Sequence, residues 1–300
     1  GVQTCALPIF RDQFERVLPA SSVANLYPFN YSGKTDPRGF YVGRDKFGSN
    51  ILVDFNQRAD DKTNGSILIL GNSGQGKSYL LKLILCNLRE AGLNVICLDP
   101  EMEYEDLTNN LGGCFIDLMG GRFLINPLEP KVWDEGEGLE DPDAPETFRI
   151  RSRLSQHISF LKDFFRSYKD FTDREIDVIE IMVQRLYARC GLTDETDFQM
   201  LGSKDYPTLS ELYGLIEAEY KGFDSGERQL YTAELLQNIL LGLHSMCRGP
   251  EAKFFNGHTN ITDSSFVTFG VKGVLQASRN LRDALLFNTL SFKIGRASCR

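Results

Sequence analysis

Residues suited to metal ligation and cross-linking are scarce in this chain. Its 300 residues include three histidines and one tryptophan, and its seven cysteines (Cys5, Cys86, Cys97, Cys114, Cys190, Cys247 and Cys299) form no C-x-x-C pair. That scatter excludes a zinc ribbon and argues against a disulfide framework; the reduced thiols of a cytoplasmic protein fit it better. Positive charge is also in deficit, with 33 Lys and Arg against 41 Asp and Glu and a net charge of −8. A surface that is basic throughout and wraps nucleic acid is therefore excluded. A local basic groove, or one completed in an oligomer, is not. No apolar run approaches the ~18–20 residues that cross a bilayer, and no signal peptide is visible, so membrane association is expected only through a partner. His157, His244 and His258 have no partner pattern and read as structural. No Ser/His/Asp, Cys/His or metal-ligand constellation stands out.

What is present is ordinary globular material: 42% apolar and 25% charged residues, in a chain long enough for one large domain or two modest ones. The sequence does not begin with Met. GVQTCALPI at the start and GRASCR at the end resemble translated sequencing-adapter sequence, so residues 1–9 and 295–300 are expected to be non-native.

Residues 10–65 read as the end of an N-terminal domain and a β-rich lead-in. Gly39–Val42 and Ile51–Asp54 are strand candidates around a polar, glycine-containing turn. Ser66–Leu70 (SILIL) has the length and composition of a buried parallel strand. Leu80, Leu81, Ile84, Leu85 and Leu88 recur at helical spacing, Ala91-Gly92 closes that helix, and Asn94–Leu98 is the next strand, which makes a βαβ unit. Cys114–Leu118 is a further strand candidate. Asp134–Glu146 carries seven acids with Gly and Pro and reads as a solvated loop. Most of 147–247 is helical: Ile150, Leu154, Ile158, Leu161 and Phe165 form one stripe. Thr172-x-x-Glu175 and Thr208-x-x-Glu211 are capping boxes that open two more helices. Phe266–Val271 returns to the sheet, and Asn280–Ile294 is again helical.

The chemistry is concentrated in Gly71-Asn72-Ser73-Gly74-Gln75-Gly76-Lys77-Ser78, a full match to G-x-x-x-x-G-K-[ST]. Glycines allow backbone N–H groups to converge on phosphate oxygens, and the following helix points its positive end at them. Lys77 is suited to the β- and γ-phosphates of ATP and the Ser78 hydroxyl to Mg²⁺, with Tyr79 next in line at the bound nucleotide. A second cluster, Asp99-Pro100-Glu101-Met102-Glu103-Tyr104, follows directly on the next strand. In a parallel sheet that is the carboxyl edge, where the phosphate loop also opens. One of these acids is suited to polarise the attacking water or to hold a Mg²⁺-bound water, with Glu103 and Asp99 ahead of Glu101. The residues leave open which. The plain alternative is a turn with its glutamates in solvent.

GNSGQGKS, the strand ending LDPEMEY, LGG…IDL and FLINPLEP (123–130), in this order, resemble the conjugal-transfer ATPases of type IV secretion systems, within the HerA–FtsK superfamily of P-loop NTPases. NLYPFN (25–30), GFYVGRDKFGSN (39–50), FFNGHTNI (254–261) and FVTFGV (266–271) extend the resemblance over about residues 10–294. It implies an α/β fold: a RecA-like P-loop core with a parallel sheet, a mostly helical insertion and a short β-rich lead-in. The core would occupy 66–130 and 251–294 and the insertion 131–250. It further implies a homo-hexameric motor using ATP and Mg²⁺, working with secretion components at the inner face of the membrane. Gly71–Ser78 would be its Walker A loop, and Asp99, Glu101 and Glu103 its acidic element. No apolar strand ending in Asp-Glu follows residue 271, so the resemblance places the Walker B acids, sensor and arginine finger outside this sequence. This stretch alone is then expected to bind nucleotide with little turnover. Two other readings are a DNA-pumping translocase or coupling protein, and a nucleotide-dependent scaffold without catalysis.

Overall fold

The structure, a computed structural model, describes residues 36–131 and 153–297 apart from 37, 56, 59–63, 195, 199, 224–229 and 262–263, together with 19 and 20. NLYPFN, the acidic stretch Asp134–Glu146 and residues 1–9 lie outside the described residues. By its internal contacts the chain divides into two units, 1–87 and 88–300.

In the first unit β1 (Phe40–Arg44) and β2 (Asn50–Val53) pair antiparallel, with Phe40 opposite Val53 and Arg44 opposite Asn50. Asp45 ties the connecting turn, its Oδ1 accepting from the amides of Phe47 (2.8 Å) and Ser49 (2.9 Å). Such local bonds are why Asp favours turns. Helix α1 (Lys77–Glu90) begins inside the glycine-rich motif, and Ile84 and Leu85 are its buried residues.

One expectation is corrected here. Ser66–Leu70 is not a strand and is not buried: it pairs with no strand among the described residues, and Leu68 and Leu70 are 81% and 80% exposed. Apolar composition favours a strand, but only a hydrogen-bonded neighbour makes one, because the ladder is what satisfies the backbone.

In the second unit β3 (Val95–Asp99), β4 (Cys114–Asp117) and β5 (Phe266–Gly270) form a parallel sheet in the order β3-β5-β4. Central β5 is buried at every position, as its unbroken run FVTFG requires. Helix α2 (Glu105–Asn110) packs on this sheet, with the Thr108 and Thr268 hydroxyls 2.7 Å apart and Thr108 also donating to the Tyr104 carbonyl.

Between β4 and β5 the chain builds the helical region: α3 (Arg153–Tyr168), α4 (Asp173–Arg189), α5 (Leu209–Lys221), α6 (Ala233–Cys247) and the short α7 (Ala252–Phe255). Helices α3 to α6 pack on one another through the stripes expected of them, burying Leu161, Phe165, Ile176, Ile179, Val183 and Leu186. Thr172 and Glu175 form the reciprocal capping box at the start of α4. At α5 the Glu211 carboxylate accepts from the Thr208 amide (2.6 Å) and hydroxyl (2.9 Å). After β5 come α8 (Lys272–Gln276) and α9 (Arg279–Ala297), the latter lying along α3.

The segment Ile125–Lys131 is wholly buried and joins the sheet connection to the helices. The Asn126 amide group donates to the Pro207 carbonyl (2.9 Å) while its Oδ1 accepts from the Leu128 amide (3.1 Å). Tyr187 donates to the Leu128 carbonyl (2.8 Å), and Asn288 to that of Ile125 (2.9 Å). Lys131 Nζ donates to both the carbonyl (2.9 Å) and Oδ1 (2.8 Å) of Asn288 and lies 3.8 Å from the centre of the Phe160 ring. Burial drives the Lys131 ammonium well below its usual pKa, with the Glu129 charge opposing. His157, also buried, stacks on Phe160 at 5.4 Å between centroids. Its pKa is pushed well down by burial first and the neighbouring Lys131 charge second. His258 Nδ1 lies 3.1 Å from the Ser203 carbonyl, and His244 meets the Tyr213 ring edge-on.

Candidate nucleotide site

In the first unit, Gly74 (φ 78°) and Gly76 (φ 83°) hold the left-handed backbone that turns the motif back on itself, a conformation costly for any residue with a Cβ. Gln75 N–H reaches the Asn72 carbonyl at 3.4 Å, and Lys77 Nζ donates to the same carbonyl at 2.7 Å. Helical bonding opens with Leu80 N–H to Gly76 O (2.9 Å), so the amides of Lys77, Ser78 and Tyr79 precede the ladder. These are the orphan donors of a helix start, backed by the helix dipole, and residues 71–76 and Ser78 are exposed. The structure therefore brings an ammonium, a hydroxyl and several amides to one exposed turn. A polyphosphate needs that donor set.

The same turn fits Mg²⁺. Among the described residues no group of three His, Cys, Asp or Glu could cage a metal. Magnesium does not require one: it keeps most of its waters and takes one or two protein oxygens plus phosphate oxygens, for which Ser78 suffices.

In the second unit, the acidic cluster lies at the carboxyl edge of the sheet, where Asp99 and Asp117 both stand beside Gly270 in register. Its members have different surroundings. Asp99 is fully buried, with Oδ1 accepting from the Glu101 amide (3.2 Å) and Oδ2 from the Tyr104 amide (2.9 Å). It shapes the loop. Met102 adopts φ 63° within that loop and lies over Gly270, where an added Cβ would come within 2.4 Å of the Met102 sulfur. Glu101 and Glu103 are exposed; Glu101 lies 3.9 Å from Lys272 Nζ, a loose surface pair. Burial, and then the Asp99 charge, raise the Cys97 thiol pKa to about 11. Residue-type reasoning missed Lys272; its place directly after the strand at 266–271 was the available signal.

The fold and the glycine loop define a P-loop NTPase of the RecA-like α/β class. Residues 58–182 match the model of the family described as "Helicase HerA, central domain". The chain is similar to VirB4 of Thermoanaerobacter pseudethanolicus, with a TM-score of 0.73 and 29% identity, covering 88% of this chain and 65% of that one. It is 24% identical over 297 residues to an uncharacterized protein of Bacillus anthracis, covering 91% of this chain and 44% of that protein. Protein TraC of Escherichia coli (strain K12) is 25% identical over 134 residues, 45% of this chain and 14% of TraC. The chain thus spans less than two thirds of each of these proteins. Together the likenesses support a type IV secretion ATPase of the HerA–FtsK superfamily.

Proposed function

We propose that the chain is the nucleotide-binding part of an ATP-driven motor subunit of a conjugative type IV secretion system. The observation that carries this is the Gly71–Ser78 turn, an exposed set of donors with the geometry of a phosphate cradle, in a chain similar to VirB4 and TraC. In this reading Lys77 moves from the Asn72 carbonyl to the β- and γ-phosphates of ATP, and Ser78 supplies an oxygen to Mg²⁺. Glu103 is the acid that acts on the attacking water. Its exposure supports that role, whereas Asp99 positions the loop and Glu101 shares its charge with Lys272. Residues 66–130 and 251–294 form the motor core, and 131–250 the helical insertion. The motor works as a homo-hexamer in the cytoplasm, bound to secretion components at the inner face of the membrane. No described helix is long and apolar enough to cross it.

The test is ATP hydrolysis by the intact protein. Lys77→Ala should abolish it, and Glu103→Gln should lower kcat by on the order of 10²-fold or more with little change in KM. Full activity in Lys77→Ala would end the motor reading. Nucleotide-dependent assembly with no turnover would make the protein a scaffold. Binding to DNA that weakens steeply with salt would make it a translocase instead.

A further inference from the structure

Among the described residues, Met102 is the one residue other than glycine with a left-handed backbone (φ 63°), and it sits between the exposed acids Glu101 and Glu103. That conformation costs a residue with a side chain about 1–3 kcal/mol, and it persists only where the surroundings impose it. Here the loop is pinned at both ends. Buried Asp99 accepts from the amides of Glu101 (3.2 Å) and Tyr104 (2.9 Å). The carbonyl of buried Tyr104 accepts from the Thr108 hydroxyl (2.7 Å), which lies 2.7 Å from that of Thr268 on β5. Between the pins the half-buried Met102 side chain reaches the end of β5 at Gly270. Gly270 is buried and its backbone is not left-handed, so its conformation does not call for glycine. Its space does. A Cβ at this position would collide with the Met102 sulfur and stand 2.9 Å from Phe115 Cζ. The thioether thus fills the notch that a side chain at 270 would occupy, with the ring of Phe115 from β4 at the same notch, a pairing that sulfur favours.

We infer that Met102 is a positioning residue: seated in the notch over Gly270, it fixes the loop so that the Glu103 carboxylate is held out from the sheet edge in one direction. The inference rests on the reading of Glu103 as the acid that acts on water, and adds what aims that acid. Asp99 fixes the amides of residues 101 and 104, and the notch fixes the stretch between them. Without it, rotation about the backbone of Met102 and Glu103 would let the carboxylate swing, and a displacement of about 1 Å can cost roughly 10²-fold in rate. A loop that only had to close the turn would relieve the strain with glycine at 102, where a positive φ costs nothing. Methionine keeps the strain and supplies the anchor.

The experiment measures kcat and KM for ATP in the intact protein, together with amide hydrogen exchange over residues 101–104, in Met102→Ala, Met102→Leu, Gly270→Ala and the double variant Met102→Ala/Gly270→Ala. Met102→Ala should lower kcat about tenfold with KM within about twofold, and should speed exchange of the Tyr104 amide by about tenfold or more. Met102→Leu refills the notch and should keep kcat within about threefold of wild type. Gly270→Ala evicts the thioether and should lower kcat comparably. The double variant should be no worse than Gly270→Ala, because both changes remove the same contact. Losses of kcat that multiply in the double variant overturn the shared notch. Unchanged exchange in Met102→Ala overturns the anchor, and this arm stands even if Gly270→Ala does not fold. Full kcat in Met102→Ala beside an inactive Glu103→Gln overturns the positioning role while leaving Glu103 as the acid. Full activity in Glu103→Gln defeats the acid reading itself, a failure that the exchange measurement does not share.

Discussion

The phosphate turn and the Ile125–Lys131 segment are both short, both built on asparagine, lysine and backbone amides, and opposite in kind. In the turn, Asn72 and Lys77 meet in an exposed loop whose donors outnumber its internal acceptors. In the buried segment, Asn126 and Lys131 meet carbonyls and amides on every side. The difference separates binding from stability: exposed unspent donors are available to a ligand, while buried donors must be spent inside the fold. The resemblance that pointed to both motifs did not distinguish them.

The strongest way to break this comparison is Lys77→Ala. It should cost more than about 100-fold in ATP affinity, read by calorimetric titration, with thermal stability essentially unchanged because Lys77 spends its charge on one exposed carbonyl. A large fall in melting temperature would show that the turn is structural after all. Asn126→Ala should do the reverse. It leaves the Leu128 amide and the Pro207 carbonyl without partners and should destabilise the fold by about 2–4 kcal/mol in urea unfolding, without altering nucleotide affinity at temperatures where the protein stays folded. Tyr187→Phe removes one bond to the buried Leu128 carbonyl and should cost about 1–2 kcal/mol.

A pH experiment sharpens the same contrast. The pKa of His157 is depressed in the folded chain, so its ring stays neutral there while the unfolded chain takes up a proton below about pH 6.5. The unfolded state thus binds more protons, and the stability His157 contributes is present above about pH 6.5 and lost as pH falls below it. Urea midpoints should decline between pH 7 and pH 5, and His157→Leu should flatten that decline. An unchanged slope would mean that another group sets it. The smallest effect concerns Cys97, whose thiol pKa is raised to about 11. It should alkylate far more slowly at pH 8 than it does after unfolding, as peptide mapping would show.

Much of the fold was legible because the signals are local. Helices α3 to α6 follow from apolar residues at 3.6 spacing and from boxes such as Thr172 with Glu175, where both partners lie within four residues. Strands β3, β4 and β5 follow from short apolar runs bounded by turns. The phosphate turn was legible in full, since its glycines, lysine and serine are consecutive. The state of Ser66–Leu70 was not, because its composition says strand while pairing depends on a neighbour remote in sequence. The acidic cluster was legible as a cluster only: that Asp99 faces inward to two amides while Glu103 faces out depends on how the loop closes over Gly270.

By itself, the order of residues determined the glycine turn, the helix stripes and caps, and the apolar strands, since each rests on backbone preferences and spacings within a few positions. Only the tertiary structure decided which polar groups are consumed and which are free. Asn126 is satisfied by Pro207 and Thr259, and Lys131 by Asn288, at separations of 81 to 157 residues. Whether an asparagine or a lysine binds a ligand or holds the core depends on what the rest of the chain places beside it.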